Sequence, residues 1–543
     1  MMFLRVKPWL KFIQSYVSEV LDNTVRLRYS KKLVRTAALL AGLSTIILLW
    51  KVRNSTSSDI HQFGSLDVTL KELSQCQFPG RHPFDNPRNL EPANVLISQN
   101  GPEGTIARIE FGLRKDKNAR GGRHNPNILP YPSKLVDKGM PQYLAFARQT
   151  TSHSKILHHE LVYCELKFVY TSVIGRRVMR CVAKPKEAKL PLEWTSPAST
   201  CQPLRYLRIR QGILDPRIFY SPWGEPLMVF GSNGWNTCLS MFIVDLRVLI
   251  PELAPRVTDG EIRFNQVAEL PRADINDVEK NWFIIWDEHN HEYIHYNFIN
   301  RSLAPLSGPH AGENVLELYP YSLEPRTPQC LLDLFQEFPN KRDHSRLHQA
   351  TNALRVTMCP YPCEPTIHNT VIVSIVHVKY HRGAMVFYRR HAVVMNATTP
   401  FRIIARTTNL MFNGIDEKSM VYTVSIGWDP NFIRRPKGKG NADSDPSLAE
   451  MDAATELSPT QAADEEFTKR RRSDGQQVDR PSAIVLAGNE HPPIHSKNVL
   501  SDDDHYYHGW IDDMIMINIG IEDLDSAVLH VPMREVLECL VYC

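Results

Sequence analysis

The sequence predicts an all-β protein behind an N-terminal transmembrane helix, with a disordered insertion late in the chain. Three observations predict the β class. From about Cys76 to Phe432, short apolar runs are broken by Pro, Gly, Asn and Asp. Proline outnumbers glycine, 38 to 26, and long amphipathic helical periods are scarce. The runs PLMVF (226–230), NWFIIW (281–286) and TVIVSIVHV (370–378) are rich in β-branched and aromatic residues, and such runs between turn signals read as buried strands. Many short strands at wide spacing suggest sandwiches, a barrel or a propeller.

The transmembrane element comes from residues 34–50. Thr36 to Trp50 contains no charged residue. It is short for a span that typically needs about 17–25 residues, but Arg35 and Lys51 can snorkel from its ends. Arg26, Arg28, Lys31, Lys32 and Arg35 precede it, whereas only Lys51 and Arg53 follow closely. The positive-inside rule therefore leaves residues 1–33 as a cytosolic tail and the body in a lumen. Charge distribution agrees. The 543 residues carry a net +4. Residues 1–53 hold ten Lys and Arg against Glu19 and Asp22, so the remainder, with 53 basic and 57 acidic residues, is slightly acidic. A genome-binding protein would carry a basic face on its body, so no nucleic-acid partner is expected.

Residues 51–75 read as a polar stem and 76–543 as the lumenal domain. Asn54, Asn300 and Asn396 head glycosylation acceptor patterns. Ten cysteines lie after the span and none before it, which permits disulfides without fixing their pairing. Cys359-x3-Cys363 and Cys539-x3-Cys543 lack the C-x2-C partner of a zinc site, so bridges or free thiols are expected there. Lys437 to Asp504, rich in Ala, Ser, Asp, Glu and Gly and containing the basic run 469–472, reads as the insertion. Strand character resumes in IDDMIMINIGI (511–521). Asp525 to Cys543 reads as a closing helix with Val528, Val531, Val536, Leu537 and Leu540 as its apolar set.

The chemistry is carried by separated motifs. Gly212-Ile-Leu-Asp-Pro-Arg217 places Asp215 before a proline, which pushes it toward extended geometry, and puts Arg217 where it can hold the carboxylate ionised. Glu279-Lys280-Asn281-Trp282 precedes a strand, Tyr380-His381 ends TVIVSIVHVKYH, and His508-Gly-Trp-Ile-Asp512-Asp513 precedes MIMINIGI. In this order and spacing, across roughly residues 120–540, the motifs resemble the five-bladed β-propeller superfamily of β-mannoside phosphorylases and related β-1,2-mannosyltransferases. With the anchor and the form Glu-Lys-Asn-Trp, the fungal β-1,2-mannosyltransferase family is the nearest resemblance.

That resemblance implies a catalytic carboxylate at Asp215, supported by Arg217. Asn125 and Arg148 match sugar-contacting positions of the first blade. Lys280, Asn281 and His381, with Tyr380, match the phosphate-holding region, here facing a donor diphosphate, and Asp512 matches a late sugar-contacting Asp, ahead of Asp513. It implies a Golgi type II enzyme adding β-1,2-linked mannose from GDP-mannose to mannan-type glycans with inversion, the nucleotide sugar and the acceptor glycan being its partners. Asp215 would take the acceptor proton, and Lys280, His381 and nearby Arg would balance the leaving diphosphate without a metal or cofactor. Two alternatives stand beside it: a β-mannoside phosphorylase, against which the anchor counts because free phosphate and oligosaccharides are expected to meet in the cytosol, and a non-catalytic glycan-binding propeller. His289, His291 and His295 read as an exposed hairpin tip rather than a metal site. Asp523-Leu-Asp525 reads as a helix cap rather than a metal-binding Asp-x-Asp.

Overall fold

The structure is a computed structural model that describes Leu66 and most residues from Thr69 to Cys543; its longer undescribed stretches are 1–65, 81–92, 100–105, 112–122, 132–141, 191–203, 316–327, 335–346 and 430–506. The anchor at 34–50, Asn54, Asn300 and the insertion 437–504 with its basic run lie outside the described residues. No helix among the described residues is long and apolar enough to cross a membrane. Within the segment read as stem, Leu70 and Leu73 are buried, and Thr69 begins the compact unit that ends at Cys543.

The described body is all-β. The apolar runs become strands buried on both faces: all residues of Pro226–Ser232 and of Met514–Ile521 are buried, as expected of central strands packed above and below. Strands succeed one another as antiparallel meanders. The first runs through Arg123–Pro130, Tyr143–His153, Ile156–Thr171 and Arg176–Cys181. The second contains Leu214–Tyr220, Pro226–Ser232, Ser240–Asp245 and Ala268–Glu269. A third, of three strands, spans Phe283–Trp286 to Ser302–Pro305. The fourth runs from Leu347–Thr357 to Ile403–Thr407, and the fifth comprises Val421–Trp428, Met514–Ile521 and Asp525–Pro532.

The opening strands of these meanders are the inner ones. The first packs between the second and fifth, the fourth between the third and fifth. Apolar clusters fill the spaces between neighbours: Leu129, Phe146, Met228 and Phe242 between the first and second, Phe219, Val229, Trp286 and Ile294 between the second and third, and Phe283, Leu303, Val376 and Phe387 between the third and fourth.

The chain ends close the arrangement. Ala107–Glu110, early in sequence, pairs with the C-terminal strand Asp525–Pro532 on one side and with Arg176–Cys181 on the other. Disulfides Cys76–Cys539 and Cys330–Cys543 tie distant segments to the C-terminus. Cys164–Cys181 and Cys359–Cys363 are local bridges, and Cys238 is also disulfide-bonded. The two C-x3-C pairs are thus not zinc half-sites: one is a disulfide, and the cysteines of the other bond elsewhere.

The C-terminal helix expected from Asp525 is instead a strand, Asp525–Pro532, followed by one helical turn at Met533–Val536 and the strand Leu540–Tyr542. Pairing on both edges of Asp525–Pro532 overrides the helical spacing of its valines. Asp525 is therefore no helix cap; it forms an exposed ion pair with Arg108 at 2.5 Å.

Candidate functional site

The N-terminal ends of the inner strands converge, and most of the predicted site residues lie there. Asp215 is the centre. Asn125 Nδ2 donates to its Oδ1 at 2.7 Å, and Arg148 Nη1 reaches the same oxygen at 3.1 Å. The Asp215 side chain is 50% exposed and that of Arg148 15%, so the carboxylate is held from one side and open on another. Asn125 belongs to the first inner strand, Arg148 to its neighbour and Asp215 to the second inner strand. Tyr422, from the fifth, donates to Asn125 Oδ1 at 2.5 Å.

The backbone here departs from the expected form. Asp215 has φ 45°, not the extended geometry favoured before proline, and Asn125 and Asn281 have φ 54° and 62°. Among the described residues only seven non-glycines have positive φ, and these are three of them. Such conformations cost about 1–3 kcal/mol each and persist where the surroundings impose them. Pairing of the second inner strand with Pro226–Ser232 is irregular between Leu214 and Arg217, a bulge that re-aims the Asp215 side chain. Gly212, just upstream at φ +95°, lies so close to the first meander that a β-carbon would sit 2.1 Å from the His159 carbonyl oxygen; this is the close approach that glycine alone allows.

Arg217 adds a backbone role to the expected support of the carboxylate by its charge. It is buried and bonds three backbone carbonyls: Nε to Ala350 at 2.5 Å, Nη1 to Asp215 at 3.0 Å and to Pro216 at 3.2 Å. It therefore clamps the bulge to the fourth inner strand and acts on the carboxylate through its charge. Asn127, which the sequence reading left without a role, is wholly buried and staples the first inner strand to the second. Its Nδ2 donates to Asn125 O at 3.0 Å and Pro216 O at 3.1 Å, and its Oδ1 accepts from Ile218 N at 3.0 Å. Asn352 repeats the device between the fourth and fifth, with Nδ2 to Ile426 O at 2.9 Å and Oδ1 from Ile426 N at 3.0 Å. Gln349 links the fourth meander to the third by donating to the carbonyls of Asn281 at 2.6 Å and His295 at 3.0 Å. A buried Asn or Gln beside an inner strand was the available signal, and only the fold shows which ones bridge strands.

Electrostatics separate Asp215 from an ordinary carboxyl. Burial pushes its pKa up, but the charges of Arg148 and Arg217, the Asn125 hydrogen bond and the charge of Lys280 together outweigh burial and hold it below the usual value. These influences together favour the ionised form of Asp215 at neutral pH. Lys280 is exposed and Asn281 half-buried, both immediately before the third inner strand.

The remaining predicted residues are not among the groups that hold Asp215 below its usual pKa, and Tyr380 and His381 lie at the same end of the fourth meander as the start of its inner strand, Leu347 pairing with Val378. Tyr380 is buried in the cluster between the third and fourth meanders, stacked on Phe387 with ring centroids 5.5 Å apart. His381, exposed, follows it near the hairpin end of the second strand of that meander. Asp512 lies at the opposite end of the strands. The fifth inner strand pairs Tyr422 with Gly520 at the Asp215 end and Trp428 with Ile515 at the other. Asp512, just before Met514, is therefore roughly 20 Å from the Asp215 end at about 3.3 Å per residue. It is ion-paired with Arg534 at 2.7 Å, and Asp513 beside it accepts from Trp510 N at 2.7 Å. Asn396 ends a strand of the fourth meander and is half-buried. His289 and His291 are exposed, whereas His295 is buried against Gln349, so the three histidines do not converge. A cavity of about 260 Å³ lined by Tyr131, Tyr163, Ile250 and Lys186 lies beyond the far end of the first inner strand.

No family model matches the sequence, and no curated protein matches it. Solved structures resemble it at low identity. A glycosyl hydrolase from Bacteroides ovatus is 11% identical over 84% of this chain and 96% of its own, with a TM-score of 0.34. The catalytic domain of the Coprinopsis cinerea GH62 α-L-arabinofuranosidase is 11% identical over 78% of this chain and 96% of its own, TM-score 0.32. A member of the GH130 family of mannoside phosphorylases, described as containing glycoside hydrolases that target β-1,2 mannosidic linkages in Candida mannan, is 12% identical over 65% of this chain and 90% of its own, TM-score 0.27. The expectation of an inverting GDP-mannose transferase does not stand against these likenesses, which are to glycoside hydrolases and mannoside phosphorylases.

Proposed function

We propose that this chain is a glycan-processing enzyme of the propeller type, its five meanders serving as blades, that cleaves β-mannosides by one inverting displacement with inorganic phosphate as nucleophile. The observation that carries this reading is a carboxylate, Asp215, that among the described residues stands without a second carboxylate beside it and is set among Arg148, Arg217 and Lys280 where the inner strands converge. Hydrolases usually place a second carboxylate to activate water; phosphate is already a nucleophile and needs cations instead. Phosphate oxygen attacks the anomeric carbon, the glycosidic C–O bond breaks, and the Asp215 proton passes to the leaving oxygen, giving α-mannose 1-phosphate and a free sugar hydroxyl. The charges of Arg148, Arg217 and Lys280 favour the ionised form of Asp215. A phosphate dianion beside Arg148 and Lys280 offsets the charges that depress its pKa, so the carboxyl gains its proton as the complex assembles.

The type II anchor over 34–50 and a Golgi lumen remain part of the proposal, supported by the Lys/Arg-rich flank of that segment and by the disulfides of the body; the proposal therefore requires phosphate and oligosaccharide to meet in that lumen, not in the cytosol as first expected of a phosphorylase. The test is incubation of the purified full chain with β-1,2-mannobiose, with and without phosphate. Phosphate-dependent release of mannose 1-phosphate is the expected result. Release of mannose alone replaces phosphorolysis with hydrolysis, and binding without turnover, unchanged in Asp215→Asn, replaces the enzyme with a glycan-binding module.

A further inference from the structure

Among the described residues, Asn125 is the only uncharged side chain of the groups that hold the Asp215 carboxylate below its ordinary pKa, and it does so by a chain of two hydrogen bonds that begins on the fifth inner strand. Asp215, ionised, only accepts, so the amide must turn its Nδ2 toward the carboxylate and its Oδ1 away. That Oδ1 is 2.5 Å from the Tyr422 hydroxyl. Asn125 is buried, and its own carbonyl is engaged by Asn127, so its backbone is fixed and side-chain rotation is its remaining freedom.

Tyr422 reaches this position because of the residue opposite it. Tyr422 pairs directly with Gly520. A β-carbon on Gly520 would lie 2.8 Å from Tyr422 Cζ and 3.0 Å from its hydroxyl oxygen, closer than side-chain carbons approach one another. The ring lies across the strand where only a glycine leaves room, and its other side meets Tyr388 edge-on at 6.1 Å.

We propose that Tyr422, seated over Gly520, is a positioning residue whose hydroxyl pins and polarises the Asn125 amide so that it holds the Asp215 carboxylate. The inference deepens the proposed reaction and rests on it for its kinetic consequence only. Donation into the amide oxygen strengthens donation from the amide nitrogen. Without the hydroxyl, a buried amide oxygen loses its partner, the amide rotates to recover one, and Asp215 loses its hydrogen bond. The charges facing Asp215 are Arg148 from the first meander, Arg217 from its own strand and Lys280 before the third. Arg217 in turn faces Tyr422 of the fifth and His377 of the fourth.

The experiment is an isotope-edited infrared titration of the aspartate carboxyls of the full chain, read as the difference from Asp215→Asn, for wild type, Tyr422→Phe and Gly520→Ala. The expected result is an upward shift of the Asp215 midpoint in Tyr422→Phe and in Gly520→Ala, with near-ultraviolet dichroism unchanged. If the chain turns over mannobiose, the acid limb of its pH profile moves in the same direction and kcat/KM falls on the order of tenfold, as for one lost hydrogen bond to a charged group. A wild-type midpoint in folded Tyr422→Phe overturns the proposal. Should Tyr422→Phe fail to fold, Gly520→Ala decides, since it changes neither hydrogen-bonding residue and acts by displacing the Tyr422 ring and its hydroxyl. Because the titration needs no substrate, absence of turnover would sink the proposed function and leave this inference standing.

Discussion

Each end of the inner strands carries acidic side chains, under opposite influences. At one end Asp215 is half-exposed and ringed by Arg148, Arg217 and Lys280, and its carboxyl is held below the ordinary value. At the other, Asp513 is buried, with Asp512 beside it. Burial first, and the Asp512 charge in addition, push its carboxyl up to about 6 against the Trp510 N–H that favours ionisation. The sequence offers both as an Asp beside a turn. The difference is what converges on each: several strands deliver cations and amides to Asp215, whereas Asp512 and Asp513 only fasten the turn between His508–Trp510 and Met514–Ile521 to Arg534 and Trp510.

Substitutions at the two ends break or sharpen this contrast. The largest effect is expected of Asp215→Asn, which keeps shape and removes the proton carrier. Mannobiose turnover should fall about a thousandfold with the melting temperature little changed; retained turnover would remove Asp215 from the chemistry.

Next comes the staple beneath it. Asn127→Ala leaves Ile218 N without its partner in the core and Pro216 O with Arg217 as its donor, and denaturant unfolding should show a loss of about 2–4 kcal/mol together with reduced turnover. Asn352→Ala cuts the equivalent staple away from Asp215 and should lower stability by about 1–3 kcal/mol without a comparable drop in kcat. Equal kinetic losses in both would mean that the site depends on general stability rather than on the Asn127 staple.

The far end is read by pH. The Asp513 pKa is raised in the folded state, so the folded protein binds its proton more tightly than the unfolded chain. The resulting stabilisation is full below the unfolded value near 4 and lost as pH rises through about 6. Asp513→Asn mimics the protonated form and should raise stability at pH 7 by roughly 1–3 kcal/mol, the gain vanishing near pH 4. A gain that does not depend on pH would contradict the assignment.

The smallest effect is expected of Asp512→Asn. The Asp512–Arg534 pair is more than one-third exposed on both sides, so its removal should change stability by less than about 1 kcal/mol. Turnover should remain within about twofold of wild type if Asp512 lies at the far end. A large kinetic loss would bring Asp512 back to the reaction and dissolve the contrast.

Legibility of the site followed sequence distance. Asp215 and Arg217 share one motif, and Lys280 and Asn281 stand at the start of the apolar run 281–286; Asn125 and Arg148 are indicated by the family resemblance alone. Tyr380 did not follow, because an aromatic ending an apolar run is equally suited to the core, and the packing of Phe387 decided for the core. Asp512 did not follow because a turn before a strand carries no sign of which end of the fold it reaches. The terminal valines misled at 525–532, where helical and alternating patterns overlap and two neighbouring strands settled the choice.

By itself the sequence determined that the described body is β-structure: its apolar runs are too short and too β-branched to bury themselves otherwise. It also placed the acidic centre on Gly212-Ile-Leu-Asp-Pro-Arg217. The tertiary structure decided the left-handed backbone of Asp215, the use of Arg217 as a backbone clamp, the amide staples of Asn127 and Asn352, and the reach of Tyr422 over Gly520 to Asn125. These depend on contacts between residues from 74 to nearly 300 positions apart. No local propensity encodes them, because the free energy that imposes them arises only when the inner strands pack together.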